Sequence, residues 1–206
     1  FHVAGELEAA FADYSVQQIV NTHHHEDHIG NNIWFQEHQG VKAALAHERA
    51  VPLIENPAPW ASNMPPYRHL AWGEPLPSKA KAINSYVETG NYRFTVIHTP
   101  GHSPDHISLL EPDRGWLFAG DIYLSDKVTT LRSDENVKIM LQSLKNLLQY
   151  EFDMLFCASG RVIESGARQA VKAKVAFWEE QQEKINQLHN EGLGEDEILK
   201  RLYGRE

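Results

Sequence analysis

In four places along this chain a strand-like run stops at a short loop, and three of those loops carry imidazole or carboxylate side chains. "VQQIV" (16–20) runs into "NTHHHEDHIGNN" (21–32), and "YRFTVIH" runs into "TPGHSPDH", which holds His102. "GWLFAGD" ends at Asp121, and "DMLFCAS" ends at Ser159 and Gly160. Loops at the ends of several strands are where a rigid scaffold presents a site, so the layout suits a sheet whose strand ends gather along one edge. Imidazole and carboxylate are metal ligands when spacing lets them converge. His23 and His25 are alternate residues and share a face in extended chain. Asp27 and His28 fall where the chain turns toward a helix and can aim at a neighbouring point. His24 and Glu26 point elsewhere, and His24 reads as a packing or supporting residue.

The segments between these loops alternate in character. "GELEAAFADY" and "NIWFQEHQ" read as helices, and "VKAALA" (41–46) as a strand. Residues 51–78 are rich in proline, contain Trp60, Tyr67 and Trp72, and read as a long irregular excursion that could line a pocket. "YVETG" and "YRFTVIH" form a hairpin around Gly90-Asn91, and "HISLLEP" and "GWLFAGD" follow. "DENVKIMLQSLKNLLQYE" is an amphipathic helix for which Ser133 or Asp134 is the expected cap. A long helix covers about 165–190, Gly192 ends it, and a short helix closes the chain. Strands in pairs with helices between and after predict sheet-on-sheet packing with helices outside, in a single domain over 1–206 with 165–206 as a helical extension.

Composition narrows the partners. The formal charge of −9 disfavours a nucleic-acid ligand, which needs clustered Lys and Arg. No apolar run approaches the ~18 residues of a membrane span. Cys157 is the only cysteine, which forbids an internal disulfide and fits a reducing compartment. With no signal peptide at the start, the expectation is a cytoplasmic protein with a small-molecule substrate.

"HHHEDH" contains H-x-H-x-D-H, and with "TPGHS" and "FAGD" downstream the chain resembles the metallo-β-lactamase superfamily. The wording is most similar to the hydroxyacylglutathione-hydrolase (glyoxalase II)-like branch. The resemblance implies an αββα four-layer sandwich with a one- or two-metal site at one edge. Family members place several strands before the first motif, so the sandwich here is expected to lack some N-terminal strands. By the same resemblance, His23, His25 and His102 would bind a first zinc. Asp27 and His28 would bind a second, with Asp121 bridging. Ser159 stands where the family supplies a further histidine, which weakens the second position. His106 matches a histidine that supports a ligand. Asp27, His28 and Asp121 are the expected catalytic residues.

The chemistry implied is hydrolysis of an ester, thioester or lactone by a metal-activated water. Two alternatives stay open. One is a mono-iron oxidoreductase of the persulfide-dioxygenase type, using His23 or His25 with His102 and Asp121. The other is a non-catalytic domain with a degraded second site. His98 reads as structural, and His2, His38, His47, His69 and His189 as surface residues. Lys127, Arg132 and Arg161 follow the ligand loops and could meet a substrate carboxylate.

Overall fold

The computed structural model describes residues 4–127 and 131–204. His2 therefore lies outside the described residues. After α1 (Ala4–Ala10) the chain enters the first histidine loop, which holds α2 (Glu26–Ile29) and leads to α3 (Asn32–His38). β1 (Ala44–Ala46), α4 (Val51–Glu55), α5 (Ala58–Ala61), α6 (Pro66–Trp72) and β2 (Ala80–Ala82) follow. The rest of the sheet structure is β3 (Tyr86–Glu88), β4 (Arg93–His98), β5 (Ile107–Glu111), β6 (Trp116–Gly120), β7 (Met154–Cys157) and β8 (Val162–Ile163). α7 (Val137–Leu147) sits between β6 and β7, and α8 (Ala167–Asn190) and α9 (Glu195–Tyr203) end the chain.

The main sheet has the order β3-β4-β5-β6-β7-β8, antiparallel throughout except for the β6–β7 pair. That parallel pair needs a crossover, and α7 provides it. Period-two alternation separates the two faces. Ile97, Leu110, Leu117, Ala119, Leu155 and Cys157 bury one face against Met140, Leu144, Leu147, Val171 and Val175 of α7 and α8. The other face carries Phe94, Trp116, Phe118 and Phe156, all half-buried and in ring contact, with Phe118 and Phe156 stacked at 4.5 Å. The second sheet, among the described residues, is the parallel pair β1–β2. Its own small core joins Ile29, Ala46, Ala50 and Ile54. Two sheets are present, as the segment pattern predicts, with the first one short.

Three local expectations need correction. Residues 16–20 do not form a strand; Val20 makes a single bridge to Leu45, and exposed Gln17 and Gln18 give the rest no apolar face to bury. Residues 51–78 are not irregular. They hold α4, α5 and α6, each with a proline in its first turn, where the missing N–H costs nothing. Neither Ser133 nor Asp134 caps α7. Asn136 does, its side chain accepting from the Ile139 N–H at 3.0 Å, while Asp134 is engaged by Arg132.

The loop after β6 is held from inside by a lysine. Lys174 of α8 is 2% exposed, and its Nζ donates to the Ser125 carbonyl at 2.9 Å. The ammonium also lies 5.3 Å from the centroid of the fully buried Tyr123 ring. Burial pulls the Lys174 pKa down from 10.5 to about 8. The unfolded chain then binds more protons than the folded one between these two values, so this group makes stability rise with pH across that window. Lys174→Met is expected to abolish a slope worth on the order of 3 kcal/mol between pH 8 and 10.5. Urea denaturation at a series of pH values measures it.

Candidate metal centre

The first histidine loop is pinned at its two ends. Asn21 and Asn32 exchange amide hydrogen bonds of 3.1 and 2.8 Å, both side chains buried. The Asn21 amide also donates to the His28 carbonyl at 2.9 Å. With its ends closed, the intervening chain can only bulge, and the bulge contains the one-turn helix α2. The Thr22 carbonyl accepts from the Ile107 N–H at 2.8 Å, which brings this loop against β5. Gly101 and Gly120 allow the other two loops to close in. A Cβ on Gly101 would stand 2.4 Å from the Met140 nitrogen, and one on Gly120 would stand 2.5 Å from His106 Nε2. Both glycines also have positive φ, +133° and +55°, which other residues rarely adopt.

Two overlapping ligand groups result. His23, His25 and His102, all buried, each place one ring nitrogen so that the three lie within 4.8 Å of one another. His23, His28 and Asp121 do the same. His25 Nδ1 and His102 Nε2 are 3.0 Å apart. Asp121 bridges the groups, its two oxygens 3.3 Å from His28 Nε2 and 3.3 Å from His102 Nε2. Asp27 stands at the edge, exposed, with Oδ2 3.8 Å from His28 Nε2, and belongs to neither group. Ser159 is exposed in the turn between β7 and β8 and is likewise outside both. Cys157 is buried in the core, and burial pushes its thiol pKa up.

The donor set fits a metal ion. His23 Nε2 and Asp121 Oδ1 are buried without a hydrogen-bond partner, an arrangement that costs free energy unless something else satisfies them. Nitrogens bound to zinc at about 2.0–2.1 Å in a tetrahedron stand about 3.3 Å apart, close to the His25–His102 spacing. The protonation states of His23 and His25 agree, whereas for His28 burial works to lower the pKa but the neighbouring Asp121 prevails and raises it. Burial, followed by the field of His28, holds His23 well below the ordinary histidine value. Burial, then the Arg132 guanidinium, does the same for His25. Both rings are therefore neutral near pH 7, the form that ligates. For Asp121, burial works to raise the pKa, but the neighbouring His28, 3.3 Å from Oδ1, outweighs it and keeps the carboxylate ionised.

Supporting contacts fix which nitrogen of each ring faces inward. Thr22 Oγ1 lies 3.1 Å from His23 Nδ1 and 3.2 Å from His28 Nδ1, which turns both Nε2 atoms toward the centre. His106 Nδ1 meets Thr99 Oγ1 at 2.9 Å, and its Nε2 accepts from the Asp121 N–H at 2.9 Å, so His106 holds the backbone of the bridging aspartate. Burial drives the His106 pKa down to about 3, consistent with that acceptor role. His24 turns away, its ring and backbone N–H both bound to Asp105 at 2.8 Å. His98 is exposed and stacks on His47 with ring centroids 4.3 Å apart. Beside His25 opens a cavity of about 500 Å³ lined by Trp60, Met64, Tyr67, Arg68, Leu131 and Arg132, among others. Trp72 is exposed and takes no part in it. Lys127 is exposed, and Arg161 pairs with Asp126 at 3.4 Å.

The family model of the metallo-beta-lactamase superfamily matches residues 2–159 of this chain, a span that takes in both ligand groups. The chain belongs to that superfamily. Among its metallo-beta-lactamase relatives is a hydroxyacylglutathione hydrolase of Cereibacter sphaeroides, 29% identical over 167 residues. That match covers 80% of this chain and 57% of the relative, so the chain spans little more than half the relative's length. A metallo-beta-lactamase family protein from Thermus thermophilus has a similar fold, with a TM-score of 0.70 at 23% identity, covering 89% of this chain and 69% of that one. A further fold neighbour, solved in a di-iron-bound form, has a TM-score of 0.62 at 24% identity, covering 80% of this chain and 81% of that one.

Against this metallo-beta-lactamase fold, three functional contacts escaped the sequence reading. Glu135 binds His102 Nδ1 through Oε1 at 2.6 Å and the Arg132 N–H through Oε2 at 2.8 Å. Burial works to raise its pKa, but the His102 hydrogen bond prevails and holds it below the usual carboxylate range. In sequence it is one of several acids before a helix, with nothing to mark it. Asp105 carried a usable signal, since it sits between His102 and His106 in one motif. Glu26 and Arg68 form a buried bidentate pair across 42 residues, which no local pattern reveals. A carboxylate on the outer nitrogen of a ligand histidine raises its basicity and fixes its tautomer. Glu135→Gln is therefore expected to weaken metal affinity about 10–100-fold with the fold intact. Competition against a chromophoric chelator reads that loss directly.

Proposed function

We propose that this chain is a metal-dependent hydrolase acting on an ester, thioester or lactone carbonyl. The observation that carries the reading is the convergence of His23, His25 and His102 on one point, with Asp121 between them and the His23–His28 group. Zinc held by these residues would supply Lewis acidity and water ionised near neutral pH. The protein's own residues do the remainder. Asp27, exposed beside His28, would take the proton of an attacking water as general base. His28 and Asp121 would complete a second metal position that lacks a fourth protein ligand among the described residues. Arg132 lies over His25, with guanidinium nitrogens 3.3 and 3.4 Å from its ring nitrogens, and Asp134 holds it there. Trp60, Met64, Tyr67 and Leu131 give the adjoining cavity an apolar lining, which suits a small molecule with the carbonyl placed at the imidazoles. The relatives named hydroxyacylglutathione hydrolase support an acyl-thiol as the substrate class.

The test is a panel of esters, thioesters and lactones assayed with protein purified without added metal, after chelation, and after restoring zinc or iron separately. Turnover that disappears on chelation and returns with zinc supports the reading. Inert zinc-loaded protein across the panel would overturn it. Oxygen uptake restored by iron alone would favour the oxidoreductase alternative.

A further inference from the structure

Leu131 has a second cavity on its other side. This groove of about 640 Å³ runs between α7, α8 and α9, within the ~300–1,000 Å³ usual for small-molecule sites. Its walls are Val137 and Leu141 of α7, Phe177 and Ile185 of α8, and Leu199 and Tyr203 of α9. Ile185 and Leu199 remain 40% and 49% exposed, so the helices do not close over the apolar surface they bring together. No lining residue is acidic, in a chain whose formal charge is −9. Leu131 lines both this groove and the cavity beside His25, so the two hollows meet across one side chain.

We propose that the groove receives the apolar tail of an acyl substrate whose carbonyl lies at the histidine cluster. The inference rests on the hydrolase reading above and narrows it to amphiphilic acyl thioesters or esters. The continuity at Leu131 is what selects a tail attached to the substrate over an unrelated occupant. Arg132, next along the chain, stands at the junction facing His25. A chain of methylenes gains free energy for each group it buries, so affinity should grow with tail length until the groove is full.

The experiment uses the full chain loaded with zinc and a series of acyl thioesters from acetyl to dodecanoyl, together with calorimetric titration of the metal-free protein with dodecanoate. KM is expected to fall by up to about fourfold for each methylene that enters the groove. Dodecanoate should bind one to one. Ile185→Glu and Leu199→Glu place a charge at two exposed positions on different helices, and each should flatten the length dependence and abolish dodecanoate binding. Matching thermal melts show that both variants fold. Hydrolysis with a KM indifferent to tail length, together with no dodecanoate binding, overturns the groove assignment and leaves the hydrolase standing. Dodecanoate binding that both variants lose, with no turnover of any thioester, ester or lactone, leaves the groove an apolar-ligand site but overturns the hydrolase and with it the substrate-tail assignment.

Discussion

His102→Ala is expected to strip the chain of bound metal and to lower hydrolysis by more than the 10–100-fold typical of losing a contact outside the ligand set. The position of the ring explains the size of the effect. His102 Nε2 is 3.0 Å from His25 Nδ1 and 3.3 Å from Asp121 Oδ2, so it closes the first group and touches a member of the second. Alanine leaves two imidazoles where a zinc site needs three protein ligands and an open position. It also strands Glu135, which loses its hydrogen bond from Nδ1 and remains half-buried. Two measurements check this: ions per chain by elemental analysis, and the rate toward the best thioester of the panel. The comparison with Glu135→Gln separates ligand from support, since that variant should regain full occupancy at raised metal concentration and His102→Ala should not. Unchanged metal content in His102→Ala would remove the basis of the proposed chemistry.

Arg68→Met is expected to destabilise the fold by about 3–5 kcal/mol, the cost of leaving a buried charge without its partner. Arg68 and Glu26 are both buried, and the guanidinium grips both carboxylate oxygens. Glu26 opens the one-turn helix that follows His25 and carries Asp27 and His28. A carboxylate left alone there must either take up a proton or draw in water, and either response moves the ligand loop. The pair is not the sole solution the space allows. Replacing both partners by apolar residues of similar volume should recover most of the lost stability, because neither charge then needs a partner. Urea denaturation of the single and double variants measures the difference. Near-equal midpoints for Arg68→Met and the unaltered chain would show that Glu26 finds another partner at no cost.

β3 to β7 of the main sheet were legible because they alternate and because Gly90-Asn91 and "PDRG" punctuate them, while the two-residue β8 was too short to read. α7 was legible from its 3.6-residue apolar period. His23, His25, His28, His102 and Asp121 were nameable because their motifs are local, and the fold brings them together. The misreadings have physical causes. Prolines in residues 51–78 look like helix breakers, yet in a first turn they start helices. Residues 16–20 carry the β-branched Val16, Ile19 and Val20 of a strand, but a strand also needs neighbours, and β1 offers Val20 a single bridge. Glu135, Arg68 and Lys174 were invisible because their partners lie 33, 42 and 49 residues away in sequence. Long-range polar pairs follow from tertiary placement and leave no periodic trace.

The loop that carries His102 is joined to the start of α7 by more than Glu135. The Asn136 N–H donates to the Gly101 carbonyl at 2.7 Å, and the Ser143 hydroxyl donates to the Pro100 carbonyl at 2.7 Å. Loop and helix therefore open together or not at all, and α7 is part of the central core. An ion that grips His102 thus tightens the molecule's hydrophobic interior as well as its edge. The Asn136 amide, which touches no ligand atom, becomes a gauge of loading: its exchange with deuterium should slow when the ion arrives, long before any substrate does.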